Sequence, residues 1–185
     1  MKIKIVIYPE PKEPAMLSPK LQDALNEQMK NEFFSAYLYM AIAGYFQSED
    51  LPGIASWMRV QALEEMTHGE KFYNFIADTA GRTDFRGFEA PKNIYESPLD
   101  AFRYSLKHEN FVTDRINKLM DLAKEEGNHA AQIFLQWFVT EQVEEEAGFS
   151  LIVRKLERIG SDGNGLLRLD EELAQRVFVP PTTAV

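Results

Sequence analysis

Cysteine is absent from the 185-residue chain, which excludes a disulfide scaffold, thiolate zinc sites and iron–sulfur clusters. Positive charge is in deficit: 20 Lys and Arg stand against 29 Asp and Glu. The resulting net charge of -9 disfavours nucleic acid and anionic membranes as partners and suits cations. Long apolar runs are missing too, none nearing the ~20 residues of a membrane span, so no membrane partner is expected. The opening "MKIKIVIY" is broken by lysines and lacks a cleavage-type segment. It does not read as a secretory signal, and a soluble cytoplasmic protein is the expectation. What is present, 45% hydrophobic and 12% aromatic residues, is enough for one domain with a sizeable core.

Residues 1–17 stand apart, with an alternating "KIKIVIY" that looks strand-like and a "PEPKEP" that cannot be helix interior. They read as an N-terminal extension, residues 18–178 as the domain, and 179–185 as a tail. Within the domain, "SPK" supplies Ser18 as cap and Pro19 as first helical residue, and this helix runs to about Ser48. A second helix opens at Pro52 and ends near Gly81. A third opens at Ser97–Pro98 and stops at Gly127, and a fourth runs from Asn128 to Gly160. In "GLLRLDEELAQRV", Leu166, Leu169, Leu173 and Val177 share a face, so a short fifth helix is predicted. The first two helices, and the third and fourth, are joined by only a few residues and form antiparallel hairpins. Between the hairpins lie residues 81–97, whose extended reach of roughly 55–60 Å exceeds a long helix of roughly 43 Å. The predicted architecture is all-α: a four-helix bundle with one long crossover and a short C-terminal helix.

Polar residues interrupt the apolar stripes of these helices. Glu32 sits among Leu25, Met29, Ala36 and Tyr39; Glu109 among Phe102, Leu106, Val112 and Ile116; Gln142 among Leu135, Phe138 and Phe149. In "VQALEEMTHGEKFYNF", Glu65 and His68 lie one turn apart on one face. Their spacing repeats. Glu32 to Glu65 is 33 residues and Glu109 to Gln142 is also 33, so E-x32-E-x2-H recurs as E-x32-Q-x2-E, with Glu145 in the place of His68. Glu64 and Glu141 match as well. Helical rise puts all four positions roughly 18–21 Å from their helix starts, near mid-bundle. An unpartnered buried carboxylate is costly, so it is neutralised, paired or bound to metal. Carboxylates and one imidazole converging from four helices suit a pair of iron or manganese ions. A salt-bridged bundle is the bland alternative, but Arg59, Arg103, Lys107 and Arg115 are the nearby cations and none occupies the buried stripe.

The segments "NEFFSAYLYMAIAGYF", "ALEEMTHGEKFYNFI" and "FLQWFVTEQVEEEAGFSLI" closely resemble the non-haem ferritins of bacteria and archaea, a resemblance that covers residues 18 to about 178. It implies the ferritin-like bundle, assembly into hollow 24-subunit shells, and oxidation of Fe(II) by oxygen or hydrogen peroxide to a ferric oxyhydroxide core. It further implies that Glu32, Glu65, His68, Glu109 and Gln142 form a di-iron ferroxidase centre for two irons per subunit. Glu65 would bridge the metals, with Glu32 and His68 on one and Glu109 on the other. Bacterioferritins carry E-x-x-H in both hairpins; Gln142-x-x-Glu145 departs from that, and a neutral amide favours iron that passes through over a fixed cofactor. "TEQVEEE" holds more acids than two irons need, and the resemblance implies a third iron at Glu64, Glu141, Glu144 and Glu145. An acidic inner wall without a defined site fits the same residues.

Several residues have two readings. Tyr39 resembles a family tyrosine that supplies an electron to oxygen, and it also suits a core. Met66 matches the haem-ligand position of bacterioferritins, but non-haem relatives share it, so packing at a subunit contact is expected and no haem. Trp137 reads as packing, and His108 and His129 as surface residues. "KEEGN" at 124–128 fits a three-fold pore by family likeness and a charged helix end by composition. A di-iron peroxidase or oxygenase is the competing enzyme reading, although such proteins usually keep the second histidine.

Overall fold

The computed structural model describes residues 17–180. The strand-like reading of the first residues and most of the expected C-terminal tail lie outside this range. Five helices follow in order: α1 (Pro19–Ser48), α2 (Pro52–Asp78), α3 (Pro98–Glu125), α4 (His129–Ile159) and α5 (Gly163–Leu173), and no strand occurs among the described residues. The predicted caps form. Ser18 accepts from the Leu21 amide at 3.0 Å, Ser97 from Asp100 at 3.1 Å, and Asn128 from Ala131 at 3.0 Å. Gly127 and Gly160 take positive φ (64° and 55°), backbone conformations that glycine enters without Cβ strain.

α1 and α2 pack as one antiparallel hairpin and α3 and α4 as the other. The crossover runs the length of α1, as its reach predicts. At one end, Asn26 and Gln22 on α1 bond the backbone of Arg82 and Asp84; at the other, the Tyr45 ring packs edge-on to Tyr95 at 5.2 Å. The bundle interior divides into two apolar clusters. One gathers Leu21, Leu25, Met29, Phe72, Ile116, Leu135 and Phe138; the other gathers Ile42, Phe46, Met58, Phe102, Phe149 and Ile152. Between them lies a belt of buried polar side chains at mid-bundle, Glu32, Glu65, His68, Glu109 and Gln142 among them.

α5, which the sequence pattern predicts without placing, packs on the single subunit. It ends at Leu173, four residues short of Val177, which is exposed. Leu169 and Leu173 are buried against the second apolar cluster. Leu51, the residue preceding α2, has no side chain that can cap. The buried Asp170 of α5 does so instead, accepting from the Ile54 amide at 2.7 Å. A carboxylate there also meets the positive end of the α2 dipole. The approach is close enough that a Cβ on Gly53 would fall 1.9 Å from the Asp170 carbonyl oxygen, so only glycine fits. Asp170→Ala is expected to cost about 1–2 kcal/mol, the upper range for a lost helix cap. Chemical denaturation would measure it, and faster hydrogen exchange at the Ile54 amide would localise it.

Candidate metal centre

Each helix of the bundle contributes to the belt from its middle. Glu32 stands on α1, Glu65 and His68 on α2, Glu109 on α3, and Gln142 and Glu145 on α4, all buried. Ligand atoms of Glu32, Glu65 and His68 all lie within 4.8 Å of one another, close enough to share a metal ion. The Glu65 Oε2 is 3.3 Å from His68 Nδ1, while Glu32 Oε2 is buried without any partner. A fully desolvated carboxylate oxygen left unbonded is expensive, and a cation is the group that would satisfy it. His68 belongs to a second set as well, with Glu141 and Glu145; its Nε2 lies 3.9 Å from Glu141 Oε1. The imidazole therefore stands between two groups of carboxylates.

Glu109 falls outside both sets and is held from the other side. Tyr39, fully buried, donates its hydroxyl to Glu109 Oε1, and Gln142 Nε2 donates to Glu109 Oε2 at 3.2 Å and to Thr113 Oγ1 at 3.2 Å. That geometry leaves the Gln142 carbonyl oxygen as the amide atom able to ligate. Tyr39 also stacks on Phe149 at 5.4 Å, so its core and site readings hold together.

Electrostatics follow from burial. Desolvation, then the charge of Glu65, pushes the Glu32 carboxyl up to about 8. Desolvation and Glu109 do the same for Glu145, also to about 8. Glu65 and Glu109 are raised well above the usual carboxylate range, chiefly by burial. Such carboxyls hold protons at neutral pH until a cation replaces them.

The four acids expected at a third site line one cavity of about 330 Å³: Glu64, Glu141, Glu144 and Glu145, with Trp57 and Arg176. They are not equivalent. Glu145 is buried, Glu64 and Glu141 are half-buried, and Glu144 is exposed. Glu64 is already paired with the Arg176 guanidinium, which stacks over Trp57 at 4.2 Å. Arg176, beyond α5, is absent from the cations considered on sequence; of those, Arg103 pairs with Glu157 on the surface. Two buried glutamines, absent from the sequence-predicted site, also hold the centre. Gln28 donates to Glu32 Oε1 at 2.8 Å, and Gln61 donates to Glu65 Oε1 at 3.1 Å and Glu145 Oε2 at 2.8 Å. A signal for them existed: Gln28 and Gln61 are themselves 33 residues apart, each one turn before its glutamate.

His108 corrects another expectation. It is half-buried, packing among Phe34, Tyr39 and Phe111, and its Nε2 meets Ser35 Oγ at 2.8 Å. Burial lowers it to about 4, so it is neutral at pH 7. His129 is exposed, as expected. Trp137 packs edge-on to His68 at 5.4 Å, with Lys71 over its ring at 4.3 Å.

Known proteins resemble the chain in sequence and fold. A bacterial non-heme ferritin of Staphylococcus aureus (strain MRSA252) is 44% identical over 163 residues, covering 88% of this chain and 98% of the relative. The non-heme ferritin of Staphylococcus saprophyticus is 43% identical over the same coverage. Among solved structures, an open-pore ferritin from the archaeon Archaeoglobus fulgidus superposes with a TM-score of 0.87 at 45% identity, covering 88% of this chain and 99% of that one. A humanized archaeal ferritin reaches 0.88 at 46% identity, over 89% and 99%. The Ferritin family, described as the ferritin-like domain, matches residues 22–159. With that match spanning most of the bundle, the chain belongs to the ferritin-like domain family.

Proposed function

We propose that the chain stores iron: it oxidises Fe(II) at a di-iron centre of Glu32, Glu65, His68, Glu109 and Gln142 and deposits ferric oxyhydroxide inside a closed shell of 24 copies. The unit that does so is residues 18–178. The observation that carries this reading is the buried Glu32–Glu65–His68 cluster with its orphaned carboxylate oxygen, set in a ferritin-like bundle. Iron is the substrate. Glu65, central to the belt, is the carboxylate suited to bridge two ions, with Glu32 and His68 on one and Glu109 on the other. Two Fe(II) supply two electrons, the number that takes oxygen to hydrogen peroxide or peroxide to water. Tyr39 positions Glu109 through its hydroxyl and stands where it can donate an electron. Gln142 offers a neutral oxygen, so the second ion is held weakly and can leave.

The cavity beside the centre gives it somewhere to go. Glu64, Glu141, Glu144 and Glu145 form a third iron site on the way to the mineral, and His68, shared by both carboxylate groups, marks the passage. Closed assembly is supported by an apolar groove of about 570 Å³ on the α1–α2 face, where Tyr37, Met40, Leu63 and Met66 are exposed on one subunit.

Aerobic Fe(II) addition followed by size-exclusion chromatography and iron quantification tests the whole. The expected result is a shell holding hundreds of irons; a monomer or dimer holding about two irons per chain would exclude storage. Glu65→Ala and His68→Ala shells should assemble but oxidise Fe(II) more slowly by at least the ~10–100-fold that loss of a mere outer partner costs. Glu141→Ala should shift the iron-to-oxygen ratio of later turnovers, and iron-soaked wild-type crystals should show a third anomalous peak beside these acids.

Stability should depend on pH in a specific direction. Glu32 has a folded pKa of about 8 against an ordinary 4.5, so folding favours its protonated form. Its contribution is full below pH 4.5 and is lost as pH rises through about 8. Metal-free protein in chelator should therefore lose stability across that window, and Glu32→Gln should lessen the loss without removing it, because Glu65, Glu109 and Glu145 are raised too. Thermal denaturation of both proteins over the same pH series measures the difference.

A further inference from the structure

Gln28 on α1 and Gln61 on α2 are fully buried, each one turn before a glutamate of the centre. Both amides are gripped at two ends. Arg115 Nε donates to Gln28 Oε1 at 2.9 Å, and Gln28 Nε2 donates inward to Glu32 Oε1 at 2.8 Å. Arg176 Nη1 donates to Gln61 Oε1 at 2.8 Å, and Gln61 Nε2 donates inward to Glu65 Oε1 and Glu145 Oε2. The two arginines come from unrelated places, the middle of α3 and the segment after α5. They arrive at the same order: guanidinium, amide, carboxylate.

That order follows from donor chemistry. A guanidinium has donors and no acceptor, and an ionised carboxylate has acceptors and no donor. An amide between them has one workable orientation, carbonyl outward and NH2 inward. Reversing it would set oxygen against oxygen and N–H against N–H. Without the arginine, only the carboxylate would choose, and the side chain could swing away. The amide also separates charges: it carries a hydrogen bond to the carboxylates while keeping a full positive charge off them, where it would oppose a cation. Each amide hydrogen occupies one carboxylate oxygen. Glu32 Oε1 is taken and its Oε2 is the buried, unpartnered atom.

We propose that Arg115 and Arg176 are positioning residues of the metal centre, each locking a glutamine amide so that one oxygen of Glu32, or of Glu65 and Glu145, is held and the other is presented to the metal. This rests on the metal-centre reading above. The arginines differ in what could replace them. Arg115 gives Gln28 one hydrogen bond, whereas Arg176 divides its donors between Gln61 and Glu64.

Anaerobic titration of the assembled protein with Co(II), following affinity and visible ligand-field absorption, tests the proposal. Arg115→Leu and Arg176→Leu should each bind Co(II) about 10–100-fold more weakly, with altered absorption. Arg115→Lys should recover most of the loss, and Arg176→Lys less, because an ammonium lacks the two separate donor nitrogens with which Arg176 reaches Gln61 and Glu64. Gln28→Met keeps the side chain's volume and removes both bonds, so it should match Arg115→Leu, and the double variant should lose no more than either alone. Wild-type affinity and absorption in both leucine variants would overturn the proposal. So would additive losses in the double variant, or a lysine at 115 no better than leucine, since each would mean lost packing only. Failure of the wild-type protein to bind about two Co(II) per chain would instead overturn the metal-centre reading, and the relay with it.

Discussion

Taking carboxylates out of water governs this molecule. Four glutamates, Glu32, Glu65, Glu109 and Glu145, are buried at one level of a helical bundle, with apolar clusters on either side of them. Among the described residues no arginine or lysine pairs with any of the four; Arg115 and Arg176 stop at the glutamines or at Glu64. A bundle optimised for stability alone would replace such a belt with hydrophobic residues, often at a gain. Here the belt is instead supplied with uncharged donors: three glutamine amides, a tyrosine hydroxyl and an imidazole. These soften desolvation without neutralising the charge. What remains is a concentrated negative potential in a low-dielectric interior, a condition that only a cation or a set of protons can relieve.

The fold around the belt is arranged to bring four helix midpoints together. Two short-linked hairpins set α1 against α2 and α3 against α4, and the crossover lets the second hairpin start from the far end of the first. The two apolar clusters then act as collars. Tyr39, Phe138 and Phe149 close the belt from either end, so the polar side chains are held by packing as well as by hydrogen bonds. Rigidity matters for such a site because the free oxygen of Glu32 has meaning only if its other oxygen stays fixed.

Most of this was legible in the chain. Helix boundaries were written in Ser-Pro openings and glycine stops, and the belt was written as a 33-residue spacing that occurs twice. What escaped notice has physical causes. Gln28 and Gln61 obey the same spacing, but a neutral amide among apolar residues carries a far smaller desolvation penalty than the one that makes a buried glutamate conspicuous. Arg176 could not be placed because it acts on α2 from a segment after α5, and periodicity says nothing about contacts so distant in sequence. His108 was misjudged because its helical angle relative to Glu109 pointed outward from one helix, while the aromatic neighbours that cover it come from α1 as well as α3. The place of α5 was missed for a related reason. Its Leu169–Leu173 face does not say which surface it meets, and its polar anchor, a carboxylate on a backbone amide, is invisible to any pattern of hydrophobic residues.

That anchor has a consequence for how the chain reaches its final form. Ile54 and Asp170 are 116 residues apart, so the first turn of α2 acquires its cap only when the chain has been made past Asp170. During synthesis, at roughly 5–20 residues per second, the α1–α2 hairpin emerges and can pair many seconds before α5 does. For that interval the opening of α2 is an unfinished end, with its backbone amides turned to water. α5 thus works as a closing signal, tightening the first hairpin only after the second has been made.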